Sequence, residues 1–561
     1  MLFNSHGFIF VFLPLTLALF HFLCCRGKPT YALSALVGAS LVFYGWWEPK
    51  YLLLILASVF VNFGIGEAML ANDKRGRRAL LWLGVSLNLG ALAWFKYANF
   101  LLVSGNTILG TDIHMQRILL PLAISFFTFQ QIAYLVDTCR SDTGERSFLR
   151  YALFVTFFPQ LIAGPIVHHK EMLPQFTHNL SGLKLQNLII GGTIFFLGLF
   201  KKVIIADGVS PYSDTVFMMA ANGDAITFIE SWTGALAYSL QLYFDFSGYS
   251  DMAIGLARLF GVKLPVNFNS PYKATNIIDF WRRWHMTLSR FLRDYLYFVL
   301  GGNRHGAVRT YSNLMIVMLL GGLWHGAGWT FVLWGGLHGF YLLVNHAWRN
   351  YRLRIFTSDN TNPRRVRKIG SIFGRLMAHA LTLLAVVFAW VLFRAENLNV
   401  ATNVYTGMLG LNGVALPVEW LHNHADLAST LSALGVSFQP LAYMGPLFTP
   451  LRDLVVISGM EMQVDSVGTI TAFLSLTIPI LFALVWPNTQ QIMRNVDPAL
   501  GVEHERSIHN DVGGNGSRSA QSLSQSLAWR INVPFAVLTA IIAAYACFGS
   551  TVVSQFLYFQ F

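Results

Sequence analysis

Charge is scarce in this chain. Asp, Glu, Lys and Arg make up 12% of its 561 residues, about half the share of a soluble domain. Between Arg309 and Arg349 there is none at all. Cysteine is as sparse: Cys24, Cys25, Cys139 and Cys547 have neither metal-ligand spacing nor the pattern of a disulfide framework. No Walker motif, dinucleotide fingerprint or Gly-x-Ser-x-Gly elbow stands where it could work, which argues against nucleotide hydrolysis, nicotinamide chemistry and serine hydrolysis. No repeat of the solenoid or inverted-transporter kind is visible.

Apolar and aromatic residues fill the space. Hydrophobic residues reach 54% and aromatics 14%, with 46 Phe and 15 Trp, and apolar runs recur from one end to the other. This is the composition of an all-α polytopic membrane protein. The net charge of +12 would suggest nucleic acid in a soluble protein. Here it reads as basic loops facing the cytoplasm and anionic lipid heads, with no nucleic-acid partner.

Spans are placed by length and absence of charge, at 7–25, 31–47, 51–71, 79–103, 118–137, 187–207, 227–246, 312–328, 330–347, 370–393, 470–486 and 533–550. Each is close to the ~20 residues that cross the hydrocarbon core. The first lacks a basic leader and a small-residue cleavage site, so it is expected to be retained. Segment 148–169 is apolar but holds Pro159, Gly164 and Pro165, which predicts a re-entrant or kinked element shielded inside protein. The total is 11 to 13 transmembrane or re-entrant segments.

Two basic clusters orient the chain. Lys74, Arg75, Arg77 and Arg78 form one; Arg349, Arg352, Arg354, Arg364, Arg365, Arg367 and Lys368 form the other. Both are expected in the cytoplasm. Loop 394–469, one crossing beyond the second cluster and richer in acid than base, then faces the exterior. Loop 487–530, with its Gly/Ser/Asn-rich stretch, is a flexible cytoplasmic loop by composition. Both termini face outward. The expected organisation is a membrane core over 1–417, an extracytoplasmic insertion over 418–469 and C-terminal transmembrane segments over 470–561.

His325 and His338 stand inside the charge-free run, and an ionisable group at that depth is a functional-site hypothesis by default. Trp324, Trp329 and Trp334 and seven glycines surround them in GGLWHGAGWTFVLWGGLHG (321–339). Tryptophan supplies rigid apolar walls and glycine allows close approach. The pattern points to a dry, shaped pocket around an imidazole, suited to acyl transfer. Upstream, NIIDFWRRWHMTLSRFLRDYLYFVL (276–300) has apolar residues at helical spacing among arginines. It reads as an amphipathic helix at the cytoplasmic interface, with Trp281, His285 and Ser289 on one face. His285 is then near the cytoplasm and His325 deeper.

FWRRWHMTLSRFLRDYLYFVLGGNR (280–304) followed by the 321–339 stretch resembles the signature of membrane-bound O-acyltransferases. FVTFFPQLIAGPIVHHKEMLPQF (154–176), LQLYFDFSGYSDMAIGLARLFGV (240–262), FRAENLNVATNVYTGMLGLNGVALP (393–417) and the closing FLYFQF are similar to the branch serving bacterial alginate O-acetylation. The resemblance covers most of 1–417, weakens across 418–469 and 487–530, and resumes at the C-terminus. It implies the family's helical bundle in a bacterial inner membrane. It also implies acetyl transfer from cytoplasmic acetyl-CoA, a substrate rather than a bound cofactor, towards an extracytoplasmic polysaccharide or an acetyl-accepting periplasmic partner.

On that reading His325 matches the family's histidine and is the catalytic base, with a structural histidine as the bland alternative. His285 matches the second characteristic position, as donor-positioning or proton-handling group. Arg282 and Arg283, with Trp324 and Trp329, are candidates for contacts with the donor; lipid anchoring is an equal reading of the arginines. His338 reads as a packing residue and His168 and His169 as a cytoplasmic lip. Asp245 and Asp251 read as structural, one of them holding an arginine or a histidine. No metal site is expected. Two other functions stay open: the resemblance also admits D-alanyl transfer from a carrier protein, and the polytopic pattern fits a transporter or export subunit.

Overall fold

The structure, a computed structural model, describes residues 1–116, 118–141, 143–178, 184–358, 372–417, 425–439, 475–500, 528–549 and 554–557. Outside them lie the basic residues at 364–368, most of loop 418–469, and residues 501–527 of the expected cytoplasmic loop. Each of the twelve apolar runs contains a helix. Among the described residues six helices are long and apolar enough to cross a membrane: Phe8–Cys25, Tyr51–Ala71, Lys74–Leu109, Leu185–Asn222, Gly306–His325 and Ile372–Arg394. Pro29–Gly45, Ser475–Leu484 and Val533–Phe548 are shorter apolar helices. The chain is a multi-pass helical membrane protein.

The helices gather into two compact units. One comprises residues 1–200, 247–267 and 489–561, the other 201–246 and 268–488.

In the first unit, the expected break near 148–169 is present. Helix Phe148–Thr156 ends where Phe157 turns extended (ψ 106°) before the short helix Phe158–Leu161. Every residue from Tyr151 to Val167 is buried. Backbone groups freed by a break must find partners away from water. Ser40 Oγ accepts from the Phe158 N–H at 3.2 Å. The Gln160 and Gln130 amides donate to the Phe154 carbonyl at 2.8 and 3.3 Å. His169 is buried beside Asp137, with Nδ1 3.6 Å from a carboxylate oxygen. Burial pushes its pKa down to about 4, against the pull of Asp137. Asp251 accepts from Thr489 Oγ1 at 2.5 Å and Gln490 Nε2 at 3.3 Å.

In the second unit, Asp245 has a partner of another kind than expected. Lys202 Nζ lies 2.8 Å from Asp245 and 2.7 Å from Asp207, with lysine and Asp245 each 2% exposed. The lysine sits in a π-helical turn, Lys201–Ala206. An arginine or a histidine was the anticipated partner, and the buried carboxylate pairs with this lysine. At the far end of Ile372–Arg394 the chain turns into Leu398–Met408. It then forms a parallel strand pair, Val414–Pro417 with Val436–Gln439.

The 276–300 segment departs from a single interfacial helix. It forms two short helices, Ile277–Arg283 and Met286–Leu292, followed by a π-helical turn Arg293–Tyr297. Asn276 caps the first by accepting from the Asp279 N–H at 2.9 Å. The break falls at His285, whose φ of 44° and ψ of 54° are left-handed. A non-glycine residue there carries ~1–2 kcal/mol of strain. No glycine or proline marks the spot. The fold imposes it by burying Trp284 and His285, at 1% and 0% exposure, at the tip of the helical pair. Trp281, His285 and Ser289 therefore do not share one continuous helix face.

Candidate active site

The site is built on a helical hairpin of the second unit. Gly306–His325 ends at its histidine, residues 326–328 turn, and Trp329–Ser358 returns. Glycines bring the two helices to backbone distance. A Cβ on Gly322 would strike the Phe331 carbonyl, and one on Gly335 the Met318 carbonyl. A side chain at Gly326 would strike the Phe331 ring. The hairpin thus fixes where the last residue of its first helix points.

His325 is 4% exposed. Its ring is walled by Trp324 (4.9 Å between ring centres), Trp334 (5.2 Å) and Phe393 (5.3 Å). Trp390 stacks on Trp334 at 5.6 Å, closing the wall from Ile372–Arg394. Trp329, expected in this wall, is 54% exposed at the start of its helix. Helical phase explains the exchange. Trp334 lies five residues on, where the 3.6-residue turn brings it to the inward face.

The two histidines that the sequence placed at different depths meet here. His285 and His325 have ring centres 6.3 Å apart. Phe246 packs edge-on to His285 at 4.8 Å and Trp324 lies 6.3 Å away. His285 is not a solvated interfacial residue. Burial alone pushes its pKa down, to about 3, which keeps the imidazole neutral at ordinary pH. Beyond the break, Leu292 lies over Gly321. Asn313 Nδ2 ties the descending chain by donating to the Gly302 and Leu300 carbonyls at 2.9 and 3.2 Å.

His338, one face of the same aromatic cluster, is wholly buried. Trp334 and Trp281 pack edge-on at 5.0 and 5.1 Å, and Phe280 lies parallel at 6.1 Å. Among the described residues neither of its ring nitrogens has a hydrogen-bond partner. The arginines separate. Arg283 is a brace: its guanidinium donates to Asp279 at 2.9 Å and to the Asn269 carbonyl at 3.3 Å. Arg282 is exposed and forms no ion pair among the described residues.

Two buried imidazoles walled by aromatic rings can move a proton between an attacking hydroxyl and a leaving group, and exclude water while doing so. The sequence model of the membrane-bound O-acyltransferase family matches residues 79–388, a stretch that includes every residue of this cluster except Trp390 and Phe393. The chain belongs to the membrane-bound O-acyltransferase family. It is an O-acyltransferase.

Named relatives are similar over most of the length. A peptidoglycan O-acetyltransferase of Helicobacter pylori is 42% identical, covering 86% of this chain and 95% of its own. A probable alginate O-acetylase, AlgI, of Pseudomonas aeruginosa is 41% identical over 81% of this chain and 82% of its own. A teichoic acid D-alanyltransferase of Streptococcus thermophilus is 30% identical over 43% and 60%. Sequence reasoning missed Lys202, Trp390, Phe393 and Phe246. Only Lys202 carried a signal, a lysine inside an apolar span.

Proposed function

We propose that this O-acyltransferase moves acetyl groups from cytoplasmic acetyl-CoA across the bacterial inner membrane for O-acetylation of an extracytoplasmic, alginate-like polysaccharide, through an acetyl-accepting partner. The observation that carries the reading is the buried His285–His325 pair in an aromatic wall. Neutral His325 takes the proton from the acceptor hydroxyl as that oxygen attacks the thioester carbonyl. The tetrahedral adduct then breaks its C–S bond, and the imidazolium returns the proton to the departing thiolate. An ester and a thiol result, and the histidine ends as it began. His285 orients the donor or assists the proton, Arg282 and Trp324 contact the donor, and the aromatic wall keeps water from the thioester.

Acetyl is favoured over D-alanyl because the O-acetylating relatives align over four-fifths or more of the chain, and the D-alanyltransferase over 43%. The test is thiol release from radiolabelled acetyl-CoA by the purified protein with a supplied acceptor. His325→Ala is expected to lower turnover at least about a hundredfold at unchanged membrane abundance. Near-normal turnover would remove His325 from the mechanism. Use of an acylated carrier protein and not of acetyl-CoA would replace acetyl by the D-alanyl reading.

A further inference from the structure

We infer that His338, Trp281 and Trp334 enclose one buried water, and that through it His338 is a positioning residue for the His285–His325 pair. The inference rests on the reading of that pair as the transferring groups. The three rings form a triangle. Their centres lie 5.0 Å apart for Trp334 and His338, 5.1 Å for Trp281 and His338, and 5.9 Å for Trp281 and Trp334. His338 and Trp334 are buried, and so is the Nε1 of Trp281. Among the described residues, four polar atoms of this triangle have no hydrogen-bond partner: both ring nitrogens of His338 and the Nε1 of each tryptophan.

Packing alone does not call for a histidine here. Phenylalanine fills a comparable space and leaves no polar atom unmet, whereas a buried polar group without a partner costs about 1–3 kcal/mol. The surround is aromatic, with Phe280 parallel to His338 at 6.1 Å and Tyr341 edge-on at 5.7 Å. The donors and acceptors of the triangle match water. Two indole N–H groups donate, and an imidazole accepts at its unprotonated nitrogen. A water joins them by accepting twice and donating once, and three bonds are usual for a buried water. The placement gives the water a role. Trp281 belongs to Ile277–Arg283, the helix that leads into the break at His285. Trp334 belongs to the hairpin and walls His325 at 5.2 Å. The water therefore ties the element that presents one histidine to the ring that flanks the other, and holds their 6.3 Å separation. Directed hydrogen bonds set that spacing more sharply than dispersion between rings would.

The test has a structural and a kinetic arm, both on the full-length protein in nanodiscs. A cryo-EM map fine enough to show ordered waters should place a peak about 2.7–3.2 Å from one His338 nitrogen and from both indole nitrogens. Three rings in contact with no such peak would overturn the inference. In thiol release from acetyl-CoA with a supplied acceptor, His338→Phe is expected to lower kcat about tenfold or more. KM for donor and acceptor should stay the same, and the thermal midpoint should not fall. Of His338→Asn and His338→Gln, which place an amide near one ring nitrogen or the other, one should recover most of the loss. Trp281→Phe removes one donor of the triangle and should show the same split between kcat and KM, which keeps the test open if His338→Phe does not fold. Full turnover in a folded His338→Phe protein would return His338 to packing. The map depends neither on the donor nor on which group is the base, so a failure of His325 or of acetyl-CoA would leave that arm to decide.

Discussion

At the residue scale, His285 is the position where geometry and chemistry can be separated. Its left-handed φ of 44° suits glycine and asparagine and strains alanine. His285→Gly should therefore be at least as heat-stable as His285→Ala. If the imidazole acts in transfer, both should lose most turnover alike. Recovery of near-normal turnover in the glycine variant alone, with midpoint and rate measured on the same preparations, would make His285 a shape-holding residue. Its titration gives a second prediction. The folded pKa is depressed to about 3 from an unfolded value of ~6.5, so the folded protein binds fewer protons than the unfolded one between those values. Stability is full above about pH 6.5 and is lost as pH falls towards the folded pKa. The thermal midpoint in detergent should drop on acidification from pH 6.5 to 4, less steeply in His285→Asn. Both histidines were legible in the sequence because their motifs are local. Phe246, Trp390 and Phe393 were not, because they reach the pocket from helices far along the chain, and a lone aromatic in an apolar run says nothing about which face it occupies.

At the element scale, apolar runs predicted where helices form, and segment 148–169 was readable as broken because proline and glycine advertise it. The break at His285 has no such mark. There the interior overrides a helical pattern, burying Trp284 and His285 at a tip, and tertiary packing outweighs local periodicity. Two consequences follow for the elements around the site. Gly335→Ala places a Cβ against the Met318 carbonyl where the hairpin helices touch. It should cost about 1–3 kcal/mol, seen as a lower thermal midpoint and lower activity together. An unchanged midpoint would mean the hairpin yields more easily than its glycines imply. Lys202→Met removes the ammonium that lies between Asp207 and Asp245. Breaking a buried pair on one side typically costs ~3–5 kcal/mol. Pairing it with Asp245→Asn should recover part of the lost abundance. No recovery would show that the carboxylate has a role beyond answering the lysine.

At the scale of the whole molecule, the question is which substrate comes from which side. The 20 residues of Gly306–His325 rise about 30 Å, enough to cross the hydrocarbon core, with Arg309 near one end and His325 at the other. Trp329–Ser358 returns to Arg349 and Arg352. If the basic end is cytoplasmic, His325 lies far from the cytoplasm, and the donor must reach it along the buried tip at His285. The acceptor hydroxyl then has the shorter path, from outside. The same orientation sends Ile372–Arg394 outward and places the strand pair Val414–Pro417 and Val436–Gln439 on the exterior. In a background with the four cysteines replaced and activity retained, a cysteine at exposed Ser437 should react with an impermeant thiol reagent on intact cells. One at Ser517 should react only after the membrane is opened. The reverse pattern would invert the chain, put His325 nearest the cytoplasm, and exchange the sides from which donor and acceptor approach.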